Sequence, residues 1–196
     1  MPLICLWTGC CKQRDGCASE RLHIISSPEA LVTEQTRKNL ETAFAGEAKA
    51  HFRLLAFAQR ADQEGFPQIA GLFRAVAHAE AVHARNHFTR LERVGSTEDN
   101  LRDSFEKETF VNEVAYPEFI RQAWAEEDRD AVWTFTAARN AEERHARLYK
   151  FALSHLVADR TTVYQVCANC GWVEDGAPPE RCPNCQQPGN VFEQIR

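Results

Sequence analysis

The sequence predicts a mainly α protein, a four-helix bundle followed by a small C-terminal β domain held together by metal. Three observations carry that expectation. The long middle of the chain is rich in Ala, Glu, Arg and Leu, with only scattered Gly and Pro. Two parts of it repeat one another, and each copy holds a Glu and a Glu-x-x-His. Near the C-terminus the composition shifts to strand-favouring residues and two Cys-x-x-Cys pairs. The 196 residues are 44% hydrophobic and 26% charged, enough for a core and unlike a disordered chain. The formal charge of −5 argues against nucleic-acid binding, which needs a basic face. No run of about 18 apolar residues exists to span a membrane, and no basic start with an apolar run marks a secretory signal. The expectation is a cytoplasmic protein.

Residues 1–28 read as a loosely ordered N-terminal extension. Cys5, Cys10, Cys11 and Cys17 share no ligand spacing, and Ser26-Ser27-Pro28 is a helix-start signal. Residues 29–160 read as the bundle. Glu64-Gly65-Phe66-Pro67 ends one helix and starts the next. Val94-Gly95-Ser96-Thr97 gives a glycine stop and a hydroxyl cap. Glu127-Asp128-Arg129-Asp130 suits a helix N-terminus. Three breaks make four helices with short loops, and Pro117 should kink the third. Residues 161–196 form the final domain, too short for an ordinary core.

The repeat carries the chemistry. Asn39-Leu40…Phe44…Glu47 matches Asn100-Leu101…Phe105…Glu108 at an offset of 61. Ala79-Glu80…His83-Ala84-Arg85 matches Ala141-Glu142…His145-Ala146-Arg147 at an offset of 62. Residues three apart share a helix face, so each Glu-x-x-His offers an oxygen and a nitrogen to one point. Counting from the breaks puts Glu47, Glu80, His83, Glu108, Glu142 and His145 within one or two turns of a common level. Their neighbours are apolar, so the six should point into the core. Buried carboxylates need cations. One Glu from each of two helices plus Glu-x-x-His from the other two is the donor set of di-iron and di-manganese carboxylate bundles. The competing view, solvated helix faces, suits one Glu-x-x-His better than two in register. His78 and His87 read as surface or outer groups, and His23, His51 and His155 carry no signal. Tyr116 either reaches the site or only packs. Cys167, Cys170, Cys182 and Cys185 form two loops that complete a tetrahedral four-sulfur site for iron or zinc.

Together these residues resemble the rubrerythrin family. The segment ending at Glu47, Phe73 with Glu80-x-x-His83, Tyr116-Pro117 and Glu142-x-x-His145 look like its ferritin-like domain, and residues 164–193 look like its rubredoxin-like domain. The resemblance covers about residues 30–196. It implies a di-iron centre on the six carboxylate and imidazole groups and a mononuclear Fe(Cys)4 centre on the four cysteines. It implies NADH-linked reduction of hydrogen peroxide in oxidative-stress protection, with electrons from a rubredoxin or an NADH-dependent reductase. It also implies a homodimer with one subunit's Fe(Cys)4 centre near the partner's di-iron site. One position departs. The family usually has a further Glu three residues after the one matching Glu108, where this chain has Val111, and Glu113 points off that face. This removes the expectation of an iron shifting between that Glu and His83. Gln186 replaces a Gly that often follows the second knuckle, which should cost mild strain. A ferroxidase or iron-storage protein, and a non-enzymatic zinc-knuckle interaction protein, are the alternatives.

Overall fold

The computed structural model describes residues 32–155 and 162–195. The extension 1–28, with its four cysteines and Ser26-Ser27-Pro28, lies outside the described residues, as does the expected boundary at 160/161. Helix α1 spans Glu34–Gln63 and α2 spans Pro67–Arg90. Residues 32 and 33 are not yet helical, so α1 starts later than residue 29. The reason is local: the Thr33 side chain accepts the Thr36 N–H and caps the first turn. Gly65 takes φ +79° between α1 and α2, and Pro67 opens α2. Helix α3 covers Thr97–Phe110 behind a full capping box from Ser96 and Asp99. Helix α5 covers Arg129–Ser154 and is capped by Asp128, whose carboxylate accepts the Ala131 N–H at 2.9 Å. Pro67, Ser96 and Asp128 thus open helices as expected, whereas α2 ends at Arg90 rather than at the expected glycine stop, because the left-handed turn falls on Glu92 (φ +55°) and not on Gly95.

The expected kink at Pro117 takes a particular form. Val111–Ala115 winds as a π-helical turn between α3 and α4, which covers Tyr116–Ala125. The Tyr116 N–H reaches back to Val111 O. Proline has no N–H, and its ring crowds the carbonyl four residues back, so the widened turn absorbs the misfit without breaking the rod.

The helices assemble as two hairpins. Helix α1 packs along α2, and α3 and α4 pack along α5. The seams are built almost wholly of alanine: Ala58, Ala61, Ala70, Ala77 and Ala84 in the first hairpin, Ala123, Ala137, Ala141 and Ala146 in the second. The small side chain lets helix backbones approach closely. His51 ties the first pair, its Nδ1–H donating to Ala77 O at 2.7 Å. The two hairpins do not pack along their lengths; they meet at the Leu91–Ser96 joint, where Arg93 pairs with Glu41.

The C-terminal domain is a three-stranded antiparallel sheet in the order β2-β1-β3, with β1 Tyr164–Cys167, β2 Val173–Asp175 and β3 Phe192–Ile195. Its interior is the sulfur cluster: Cys167 and Cys182 are the most deeply buried large side chains among the described residues. Among those residues no helix is long and apolar enough to cross a membrane.

Candidate metal centres

The sequence-derived donors converge as three clusters. Glu47, Glu80 and His83 bring ligand atoms within 4.8 Å of one another on α1 and α2. Glu108, Glu142 and His145 do the same on α3 and α5. Cys167, Cys170, Cys182 and Cys185 form the third. The six carboxylate and imidazole groups thus come together as two triads, one per hairpin, rather than as one set within the chain. Helical register explains each triad: Glu and His three apart share a face, and the repeated Glu on the neighbouring helix stands opposite.

The first triad is the more open. His83 Nδ1 lies 3.0 Å from Glu80 Oε2, and the His83 side chain is 54% exposed. The second is more enclosed and electrostatically tense. Burial and then the neighbouring Glu142 push the Glu108 carboxyl up to about 7. Glu142 is held low, first by its hydrogen bond with His145. One proton is therefore held on the Glu108 side of the pair. For His145, burial pulls down, but Glu142 and the Gly171 carbonyl outweigh it and the net shift is upward. Tyr116 packs against Phe119 and Phe135, and its hydroxyl is raised by burial and by the charges of Glu142 and Glu108. It therefore both packs and senses the triad. Glu113 is exposed and lines a groove with Thr109, Glu143 and Arg147, apart from the triad, as expected from its offset. His78 is exposed, His87 is half-buried, and neither joins a cluster.

Sequence reasoning missed how the cysteine domain is fastened. Arg144 donates to Val173 O at 3.0 Å and to Glu174 at 2.9 Å, and its guanidinium lies 5.8 Å from the Trp172 ring centre. Asn184, inside the second knuckle, donates to Ala137 O at 2.7 Å and accepts from Asn140 at 3.0 Å. A further link is at the triad itself. His145 Nε2 lies 3.0 Å from Gly171 O, next to Cys170, while its Nδ1 faces Glu142 at 2.9 Å. A carbonyl only accepts, so Nε2 carries the hydrogen. The cysteine domain thus docks on α5 of its own chain. The only sequence signal was an Arg and an Asn whose partners lie far along the chain.

The donor sets fit metals. Carboxylates with imidazole suit iron or manganese. A ligating His usually donates its other N–H to a carbonyl or carboxylate, and the Gly171 carbonyl does this for His145, presenting Nδ1. In the cysteine domain the Cys167–Cys185 and Cys170–Cys182 sulfurs are 3.7 and 3.6 Å apart. Tetrahedral sulfurs about 2.3 Å from one ion lie about 3.8 Å apart. Burial pushes the Cys185 thiol up, but the Gln187 backbone N–H and the Asn169 side chain outweigh it and bring it down to about 7, while burial raises Cys170 and Cys182. Gln186 adopts φ +61°, the conformation Gly171 takes after the first knuckle, so the expected strain is present.

Paired carboxylate–histidine triads on helical hairpins, followed by a four-thiolate β domain, define a ferritin-like metalloprotein with a rubredoxin-like module. The rubrerythrin family model matches residues 38–153. Nigerythrin of Nitratidesulfovibrio vulgaris is 33% identical over 171 residues, covering 80% of this chain and 85% of that one. A rubrerythrin of Porphyromonas gingivalis is 34% identical over 187 residues, covering 86% and 94%. A solved structure of nigerythrin in a partially reduced state matches with TM-score 0.52 at 32% identity, covering 88% of this chain and 91% of that one. The chain belongs to the rubrerythrin family. It carries that family's di-iron ligand groups and four-cysteine site, and its class is that of di-iron oxidoreductases with a role in oxidative stress.

Proposed function

We propose that the protein is a cytoplasmic peroxidase that reduces hydrogen peroxide to water, with electrons relayed through the cysteine domain. Glu47, Glu80, His83, Glu108, Glu142 and His145 would hold an iron pair, and the four cysteines a single iron. The balance is one hydrogen peroxide, two electrons and two protons giving two waters. Bound at the triads, iron would supply the two electrons, and bound in the thiolates it would pass electrons singly.

The chain's own groups do the rest. The carboxylates neutralise the ions. Glutamates at such a site can also take up and release protons. The observation that carries the relay is the Gly171 carbonyl against His145: a backbone next to Cys170 touches a side chain of the triad. The electrons would come from a rubredoxin or an NADH-dependent reductase. In a reducing compartment the free thiolates remain available for metal.

Cys170→Ser tests the relay. The expected result is loss of NADH-coupled turnover, with one stoichiometric oxidation of the reduced iron pair retained; sustained turnover would remove the relay. A second reading, ferroxidase or iron storage, is favoured by Val111, which stands where the family has a further Glu. Excess ferrous ion with oxygen separates the two. Uptake that stops once the pair is filled supports the peroxidase, and continued mineral accumulation supports storage.

A further inference from the structure

Each hairpin is half of something. The buried side chains at the seams are small, while large apolar ones stay open: Phe52 is 71% exposed, Leu72 58% and Trp133 51%. Leu72, Val76, Glu80 and His83 follow one another at four, four and three residues, so they form one stripe of α2. Apolar side chains therefore lead directly into the first triad, on a face that α1 does not cover. A two-helix layer cannot bury such a stripe; a second layer must. Each layer carries one metal triad.

The joint excludes closure of the family's bundle within one chain. A ferritin-like bundle contains one long crossover. Here α1 to α2 and α4 to α5 are tight turns, so the crossover would have to connect α2 to α3 and run the length of α2. That helix has 24 residues, about 36 Å. The connection Leu91–Ser96 has six residues and reaches only about 20 Å fully extended. Nor does α3 fold back along α2. The joint is fixed: Asn100 accepts from the Gly95 N–H at 2.9 Å and donates to Gly95 O at 3.0 Å, and a Cβ on Gly95 would meet Asp99 at 3.1 Å.

We propose that two copies of the chain exchange hairpins: α1–α2 of one protomer packs on α3–α5 of its partner. Each four-helix bundle, and each six-ligand metal site, is then built from two chains. The occupant of the open face is a second copy because only it offers both the matching apolar layer and the complementary triad. The assembly stands on packing and chain length; completion of the metal site rests on the di-iron reading above. The cysteine domain docked on α5 then faces a site whose other half belongs to the partner.

Two measurements test this and fail separately. In metal-free dimers refolded from equal light and 15N-labelled full-length chain, half of the chemical cross-links between the hairpins should join a light to a heavy chain. If all such cross-links are isotopically pure, exchange is overturned. Next, Glu47→Ala/Glu80→Ala and Glu108→Ala/Glu142→Ala chains are co-expressed with different tags. Each homodimer should keep only its thiolate-bound iron, whereas the heterodimer should regain half the wild-type content of paired iron. One of its two sites combines both intact halves, while a self-contained chain would regain none. Mixed cross-links with a heterodimer that holds only thiolate-bound iron would uphold exchange and overturn the di-iron reading instead.

Discussion

Raising the pH from 6 to 8 should strengthen divalent metal binding at the second triad, and the size of the effect follows from Glu108. Its carboxyl titrates near 7 rather than 4.5 because it is partly buried beside Glu142. A metal needs it ionised. At pH 6 roughly a tenth of it is ionised and at pH 8 roughly nine-tenths, so this group alone raises apparent affinity roughly tenfold, about 1.4 kcal/mol. His145, also shifted upward, must lose its proton too and steepens the dependence. The sign for the metal-free fold is opposite. A carboxyl raised in the folded state contributes stability that is present below pH 4.5 and is lost as the pH climbs through about 7. After solvent screening of this half-buried group, the contribution is on the order of 1–2 kcal/mol. The assay is ferrous or cobaltous titration of metal-free protein at pH 6, 7 and 8, with proton release measured by calorimetry in two buffers. Glu108→Gln should remove the tenfold part of the slope. Equal affinity at pH 6 and 8 in the wild type, or an unchanged slope in Glu108→Gln, would refute the electrostatic account of the triad.

Two further perturbations address the cysteine domain. Arg144→Ala removes both charge-assisted hydrogen bonds to β2 and the contact over Trp172, which should cost about 2–3 kcal/mol of docking and speed amide exchange at Gly171 and Val173; unchanged protection there would mean that Arg144 does not hold the domain. Gln186→Gly relieves the left-handed backbone of the second knuckle and should stabilise the domain by about 0.5–1 kcal/mol, read as slower loss of thiolate-bound metal to a chelator. An equal or faster loss would place the strain elsewhere.

The local chemistry was legible from sequence because it is written in local patterns. Gly65 with Pro67, Ser96 with Asp99, and Asp128 each act within a few residues, and each ends or starts a helix where expected. The Glu-x-x-His spacing likewise reports a shared face without any tertiary knowledge. The cysteine spacing read the same way. What escaped was set by longer-range balance. The π turn at Val111–Ala115 has no composition of its own; it is the response of a packed helix to Pro117. Arg144 and Asn184 look like ordinary surface residues until β2 and α5 meet them. The short loops suggested a self-contained bundle, whereas the length of Leu91–Ser96 against α2 keeps the hairpins apart. The depth of each Glu against the Glu-x-x-His of its own hairpin was legible, as the two separate triads show, but depth does not say which helices share a core.

Iron content is the most direct measurement of the central claim that the two triads hold a metal pair and the cysteines a single ion. Protein purified iron-replete, and the Glu80→Ala/Glu142→Ala variant beside it, should be analysed for metal with visible spectra before and after peroxide. The expected wild type carries paired iron together with a red thiolate centre, and the variant keeps only the latter. A variant that retains the full iron complement, or a wild type with no iron between the helices, would contradict the account.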